Sequence, residues 1–142
     1  KGTSDGVIPH FDWDMAREMT ESGTFTIGAH TYAMHDGAVR RGNESADGFA
    51  SRFISDYKRL SDDIYRETGE SVTVFAYPHG IYDSLTESLL ENLGARVTLT
   101  TDAGMNIVRR GHPEDLRLMK RYNIGGDTDI ATLLEILKKR DK

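Results

Sequence analysis

An α/β fold of parallel strands alternating with helices follows from three features of this sequence. Helix patterns and strand patterns alternate along the chain in the order α, β, α, β, α, β, β, α. Each helical stretch carries a single apolar stripe, and so has one face to bury against a sheet. Polar and imidazole side chains gather just after the strand-like stretches, the rim on which parallel α/β folds place their working residues. With 142 residues, 37% of them hydrophobic, the chain suits one domain. A chain of that size buries roughly 68–70% of its unfolded surface, so a core forms without staples.

The elements follow in order. Asp12 is placed to cap a helix through Trp13, Ala16 and Met19, which Gly23 stops after Ser22. Phe25, Ile27 and Ala29 alternate and predict a strand over 25–29. Residues 36–47 are polar and contain glycine, a long loop of the kind that is functional or mobile. Phe49, Phe53, Tyr57, Leu60 and Ile64 recur at spacings of four, four, three and four and predict a long helix that Gly69 ends. The segment 71–77 (SVTVFAY) is β-branched and aromatic, a second strand, and Pro78 and Gly80 break it. Asp83 caps a third helix with Leu85, Leu89 and Leu93 on one face and Gly94 at its end. A third strand is predicted over 96–101 and a fourth, with more charges, over 116–124. The last helix is predicted to start near Asp127 or Thr128 and to bury Ile130, Leu133, Leu134 and Leu137. It ends on Lys138, Lys139 and Arg140, cations that favour a helix C-terminus.

Composition excludes several classes. The chain has no cysteine, which removes disulfides, thiolate catalysis and thiolate metal sites. The formal charge is −5 and no long run has one sign, so the basic footprint of a nucleic-acid binder is missing. No apolar run approaches the ~18 residues of a membrane span. The start at Lys1 shows no basic segment followed by an apolar one, so no signal peptide is read here. The chain is expected to be a mature product or a piece of something longer.

Chemistry concentrates at the strand ends. His30 and His35, five residues apart, cannot share a helical face, but a strand end turning into a loop can bring them to one point. Neutral imidazole is the commonest ligand of zinc, nickel and cobalt. The plainer reading is two unrelated surface histidines. His79 follows Pro78 in a turn. It has either no role or a main-chain N–H aimed into a cleft, where such a donor stabilises an oxyanion. Asp102 reads as an orienting carboxylate or a turn cap, and Asp14 beside Asp12 belongs to a helix start. Arg109, Arg110, Arg117, Lys120 and Arg121 form a basic cluster, read as a solvated face. His10 and His112 lie beside prolines in polar loops and receive no role.

The run FDWDMAREMTESGTFTIGAHTYAMH resembles the second conserved segment of the polysaccharide deacetylases, the NodB-homology carbohydrate esterases. FAYPHG resembles their third segment, and LGARVTLTTDAGMN the strand and loop that follow, so the resemblance runs from about Gly6 to Ile124. It implies a distorted (β/α) barrel and removal of acetyl groups from N-acetylated carbohydrate polymers. It also implies a divalent metal (zinc first, with nickel or cobalt as alternatives) held by one Asp and two His. The two His fall on His30 and His35, and the main-chain oxyanion donor on His79. Tyr32 and Tyr77 are the expected substrate-binding residues, although these tyrosines, like Tyr82 and Tyr122, also suit core or turn positions. The five-residue His spacing resembles the branch acting on poly-N-acetylglucosamine.

The family's first segment holds adjacent Asp residues, a metal ligand and the catalytic base. Before Asp12 only Asp5 is present, and Asp62-Asp63 falls inside the long helix. Ala76 replaces the expected Arg two residues before Pro78, and Leu118-Met119-Lys120-Arg121 lacks the late acid His. Residues 1–142 are therefore expected to be a single partial deacetylase domain, a partial barrel without the first segment. Such a chain would be inactive alone and would pair as a homodimer through a bare sheet edge. The parent would act outside the cell or in the envelope. The alternative from another class is a non-catalytic carbohydrate-binding or scaffold domain. A third reading, a doubly wound receiver- or flavodoxin-like domain, lacks the acidic cluster or phosphate loop it needs at the first strand end.

Overall fold

The N-terminal cap forms as its chemistry requires. Asp12 Oδ1 accepts from Met15 N–H at 2.9 Å and opens α1 (Trp13–Glu21). The structure is a computed structural model, and it describes residues 10–138. Asp5, Lys139 and Arg140, named above, lie outside those residues.

The long helix α2 (Ala46–Thr68) is capped by Ser45, whose hydroxyl accepts from Gly48 N–H at 3.0 Å. Gly69, at φ 75°, closes it by donating its N–H to Tyr65 O. Its buried stripe is Phe49, Phe53, Tyr57 and Ile64, with Leu60 half-buried beside them. Phe53 stacks on Phe49 at 5.8 Å and meets Phe75 edge-on at 6.0 Å. That contact fastens α2 to the sheet.

The sheet itself is short. β1 (Val74–Ala76) and β2 (Val97–Leu99) pair in parallel, with Phe75 opposite Thr98. The strands expected over 25–29 and 116–124 shrink to single parallel bridges, Ala29 to Phe75 and Leu99 to Met119. Four parallel segments therefore share one layer, with β1 and β2 inside. The outer pair fail as ladders for local reasons. Phe25 is 55% exposed, with no layer facing it among the described residues. Leu118 sits at φ 53° and gives its N–H to Thr98 Oγ1 at 2.7 Å, where a regular strand would use a main-chain carbonyl.

Asp83 caps α3 (Ser84–Asn92) by accepting from Thr86 N–H at 2.8 Å. The buried positions of α3 are Thr86 and Leu90, while Leu85, Leu89 and Leu93 are only half-buried. The face is rotated because the Thr86 hydroxyl donates to Ala38 O at 2.6 Å beneath the helix. α4 (Ile130–Lys138) is capped by Asp129, which accepts from Thr132 N–H, and not by Asp127 or Thr128. Its expected burial does not occur. Ile130, Leu134 and Leu137 are 78%, 48% and 60% exposed, because no layer among the described residues covers that stripe. Among the described residues no helix is long and apolar enough to cross a membrane.

The long loop after residue 35 is tied down. Glu44 accepts from Arg52 Nε and Nη2 at 2.7 and 2.6 Å, a forked pair. It also accepts from Arg41 N–H at 3.0 Å. The Arg52 hydrogen bond holds the Glu44 carboxyl down at about 2, from its usual 4.5. A carboxyl depressed on folding contributes stability that is present above its unfolded value and lost as pH falls through its folded one. Stability is therefore expected to fall between pH 4.5 and about 2 as this pair is protonated. In urea melts across that range, Glu44→Gln should show a shallower fall than the unmodified chain.

Candidate functional site

The site begins where β1 meets Ala29. Ala29 N–H donates to Val74 O at 2.8 Å, and Ala76 N–H donates to Ala29 O at 2.9 Å. These two bonds pin the chain at the C-terminal rim of the sheet, so His30 leaves the layer there. Its Nδ1 lies 2.8 Å from Ala76 O. A carbonyl only accepts, so Nδ1 carries a proton, and in the neutral ring Nε2 keeps its lone pair. A main-chain carbonyl behind Nδ1 is the usual second partner of a metal-ligating imidazole.

Thr31 then turns the chain at φ 70°. The next two N–H groups, of Tyr32 and Ala33, both donate to the Asp56 carboxylate on α2, at 2.7 Å each. This anchor returns the chain so that the His35 ring lies 5.1 Å from that of His30, edge to face. The His79 ring lies 5.0 Å from that of His35, also edge to face. The sequence reading gave His79 only a main-chain role, yet its side chain joins the row.

His79 is presented by a tight turn in a left-handed conformation, φ 54° and ψ 11°. Gly80 follows at φ 70°, and a Cβ there would overlap Thr101 Oγ1. Gly80 N–H bonds to Tyr77 O and Ile81 N–H to Pro78 O, while His79 N–H has no acceptor among the described residues. All three imidazoles are exposed.

Two nitrogen donors of borderline softness suit zinc, nickel or cobalt. The enclosed Thr31 Oγ1 beside them has no hydrogen-bond partner. His30 and His35 thus fit part of a ligand set. Among the described residues no group of three His, Cys, Asp or Glu converges tightly enough to hold a metal ion.

The two tyrosines separate. Tyr32 is 44% exposed, with the Arg59 guanidinium 4.1 Å over its ring. Tyr77 is fully buried, between Phe75 at 5.1 Å and Tyr82 at 5.2 Å. Its hydroxyl donates to Glu87 Oε1 at 2.5 Å, and burial together with that bond pushes the phenol well above its usual range. No face of Tyr77 is open to a sugar, so it supports the 78–80 turn from beneath and does not line a substrate surface.

Glu87 also accepts from Arg117 Nε at 2.8 Å, and Arg117 Nη1 donates to Ala95 O at 2.6 Å. Arg117 is thereby drawn out of the expected solvated cluster into a largely buried pair. Arg109 pairs with Asp115 at 2.7 Å and Arg121 Nε bonds Thr100 O at 2.8 Å, while Arg109, Arg110, Lys120 and Arg121 all remain exposed. Asp102 acts through its main chain, accepting from Arg121 N–H and donating to Thr100 Oγ1.

Asp56 and Arg59 are the residues that sequence reasoning missed. Both lie on the polar side of a helix, and Asp56 binds main chain 23 and 24 residues away, which leaves no local pattern. Asp56→Ala should cost about 1–3 kcal/mol by removing a charged acceptor from two amides. Urea unfolding measures this. In the same variant the amide signals of Tyr32 and Ala33 should lose their protection from hydrogen exchange, and unchanged protection would mean that the loop is held by something else.

The sequence model of the family described as polysaccharide deacetylase matches residues 3–98. Among solved structures, a de-N-acetylase from Aggregatibacter actinomycetemcomitans superposes with a TM-score of 0.73 at 21% identity, over 96% of this chain and 58% of that one. The BpsB deacetylase domain from Bordetella bronchiseptica gives 0.66 at 22% identity, over 83% and 52%. IcaB from Ammonifex degensii gives 0.55 at 24%, over 72% and 50%. The likeness to these structures is one of fold, and the chain spans between 50% and 58% of their length. Comparison with curated proteins finds no match. On the family match over 3–98, the chain belongs to the polysaccharide deacetylase family.

Proposed function

We propose that this chain is part of a metal-dependent hydrolase that removes N-acetyl groups from a carbohydrate polymer. Poly-N-acetylglucosamine is the proposed substrate class, the fold that of a partial distorted barrel, and the place of action the cell envelope or beyond. One observation carries the reading: His30, with a proton held on Nδ1 by Ala76 O, lies beside His35 on the same rim as the His79 N–H, which has no acceptor among the described residues. Family membership supplies the reaction class.

His30 Nε2 and the His35 ring would hold the divalent cation, zinc before nickel or cobalt. A cation bound there supplies Lewis acidity to an acetamide carbonyl. The His79 N–H donates to the oxygen as it gains charge, a role that needs only a main-chain donor held in place. The left-handed turn at 78–80 and the Tyr77 support beneath it provide that rigidity. Tyr32, ordered by Asp56 and half exposed, gives a ring against which a sugar face packs. The edge at residues 25–29, with Phe25 55% exposed, is the surface through which a second copy would pair.

Hydrolytic metal sites draw on three protein ligands and an open position, and a carboxylate base gains roughly 10²–10⁴ in rate. Of three neighbouring imidazoles only His30 and His35 are proposed as ligands, and among the described residues no group of three His, Cys, Asp or Glu converges on a metal. We therefore propose that the 142 residues on their own bind a divalent cation weakly and turn over little. The same observation favours the second reading, a carbohydrate-binding or scaffold domain without catalysis.

Calorimetric titration of zinc and nickel should show weak binding that His30→Ala and His35→Ala each abolish. Tight binding indifferent to both would place the metal elsewhere. In the full-length protein, release of acetate from N-acetylglucosamine oligomers should fall about a hundredfold or more in His35→Ala. Binding of those oligomers with no acetate released would favour the scaffold reading.

A further inference from the structure

On the α2 side of the 30–35 loop lies a cleft of about 340 Å³, walled by Tyr32, Arg41, Arg52, Ser55, Asp56 and Arg59 among others. Its charge runs against that of the chain. The molecule carries a formal charge of −5, yet these walls hold three guanidinium groups and one carboxylate; with Glu44 neutralising Arg52, a single positive charge is left over. That carboxylate, Asp56, has both oxygens engaged by the amides of Tyr32 and Ala33.

Arg52 is paired with the Glu44 carboxylate, whereas Arg41 and Arg59 have no ion-pair partner among the described residues. Arg17, Arg66, Arg109 and Arg117 each pair with a carboxylate. Arg52 gives Nε and Nη2 to Glu44, and its Nη1 is enclosed without a partner. Arg59 lies over the Tyr32 ring at 4.1 Å, and among the described residues neither it nor Arg41 has a carboxylate within ion-pair distance. A guanidinium stacked on an aromatic ring is already oriented, so little freedom is lost when its fork meets an acceptor. The group that such a fork fits in two-point fashion is a carboxylate or phosphate.

We propose that this cleft is a subsite for an oxyanion, carboxylate or phosphate, carried by a saccharide. Arg59 and Arg41 grip the anion, and Tyr32 packs against the sugar. The loop that supplies Tyr32 is the one that carries His30 and His35, so a single acidic N-acetylated glycan, rather than plain poly-N-acetylglucosamine, which has no acidic group, would present an acetamide to the imidazoles and its acidic group to the arginines. The link to the acetamide rests on the deacetylase reading, whereas the anion subsite stands on the cleft alone.

The test is calorimetric titration of the full chain, metal-free and at low salt, with glucuronate, glucose 1-phosphate, inorganic phosphate and glucose. Saturable binding of glucuronate or glucose 1-phosphate is expected at about millimolar strength, with inorganic phosphate weaker and glucose not binding. The stronger of the two sugars identifies the anion. Arg59→Gln and Arg41→Gln should each weaken binding about tenfold, with Arg59→Lys between Arg59→Gln and the unmodified chain, and Arg110→Gln, an arginine outside the cleft, should leave it unchanged. Arg41 has no side-chain hydrogen bond among the described residues, so Arg41→Gln tests the subsite even if Arg59→Gln disturbs Tyr32. Failure to saturate, equal binding of glucose, binding kept in the Arg41/Arg59 double variant or binding weakened equally by Arg110→Gln would each overturn the proposal. Anion binding without acetate release from any acidic glycan by the full-length protein would leave the subsite standing and count against the deacetylase reading.

Discussion

The Ala76 carbonyl is where the sheet ends and the chemistry begins. Its residue's N–H closes the pairing with Ala29, and its oxygen takes the proton of His30 Nδ1. One residue thus registers the outer segment against β1 and sets which nitrogen of the first imidazole faces outward. The following N–H, of Tyr77, bonds Leu99 O, so β2 fixes the height at which the 78–80 turn leaves the sheet. Both the histidine pair and the His79 main chain are positioned from β1.

β1 is only three residues long, and hydrogen bonds alone would hold it poorly. Its rigidity comes from Phe75, wedged between the α2 aromatics and Tyr77. α2 therefore serves the site twice. Its apolar face clamps β1 through Phe53, and its polar face holds the imidazole loop through Asp56 and the loop after it through Arg52 and Glu44. The Tyr77–Glu87–Arg117 chain ties α3 and the segment after β2 to the underside of the same turn. A largely buried pair of this kind contributes little net stability, but removing one member strands the other.

What could be read beforehand was local or periodic. Asp12, Asp83 and Gly69 act over one helical turn, and the Phe49-to-Ile64 stripe repeats on one face, so all of these were legible. The extents of the strands were not. An alternating segment becomes a ladder only when a neighbour lies alongside, and residues 25–29 and 116–124 each find one for a single bridge. The α4 stripe has the right period but no facing layer among the described residues. At the site, His30, His35 and the 78–80 turn stood out by residue type. Asp56 did not, because its partners are 23 and 24 residues away and are main-chain amides. Tyr77 reads equally as a rim or a core residue until the position of Glu87 is known.

The central claim is that a main-chain carbonyl fixes His30 with Nε2 free and facing outward, before any metal binds. Long-range nitrogen–proton correlation NMR of the metal-free chain tests it directly, at alkaline pH where an imidazole is neutral. The account predicts a single His30 tautomer protonated on Nδ1, converted to a tautomeric mixture if the loop is released by Asp56→Ala. A His30 ring protonated on Nε2, or averaging freely in the unmodified chain, would contradict it.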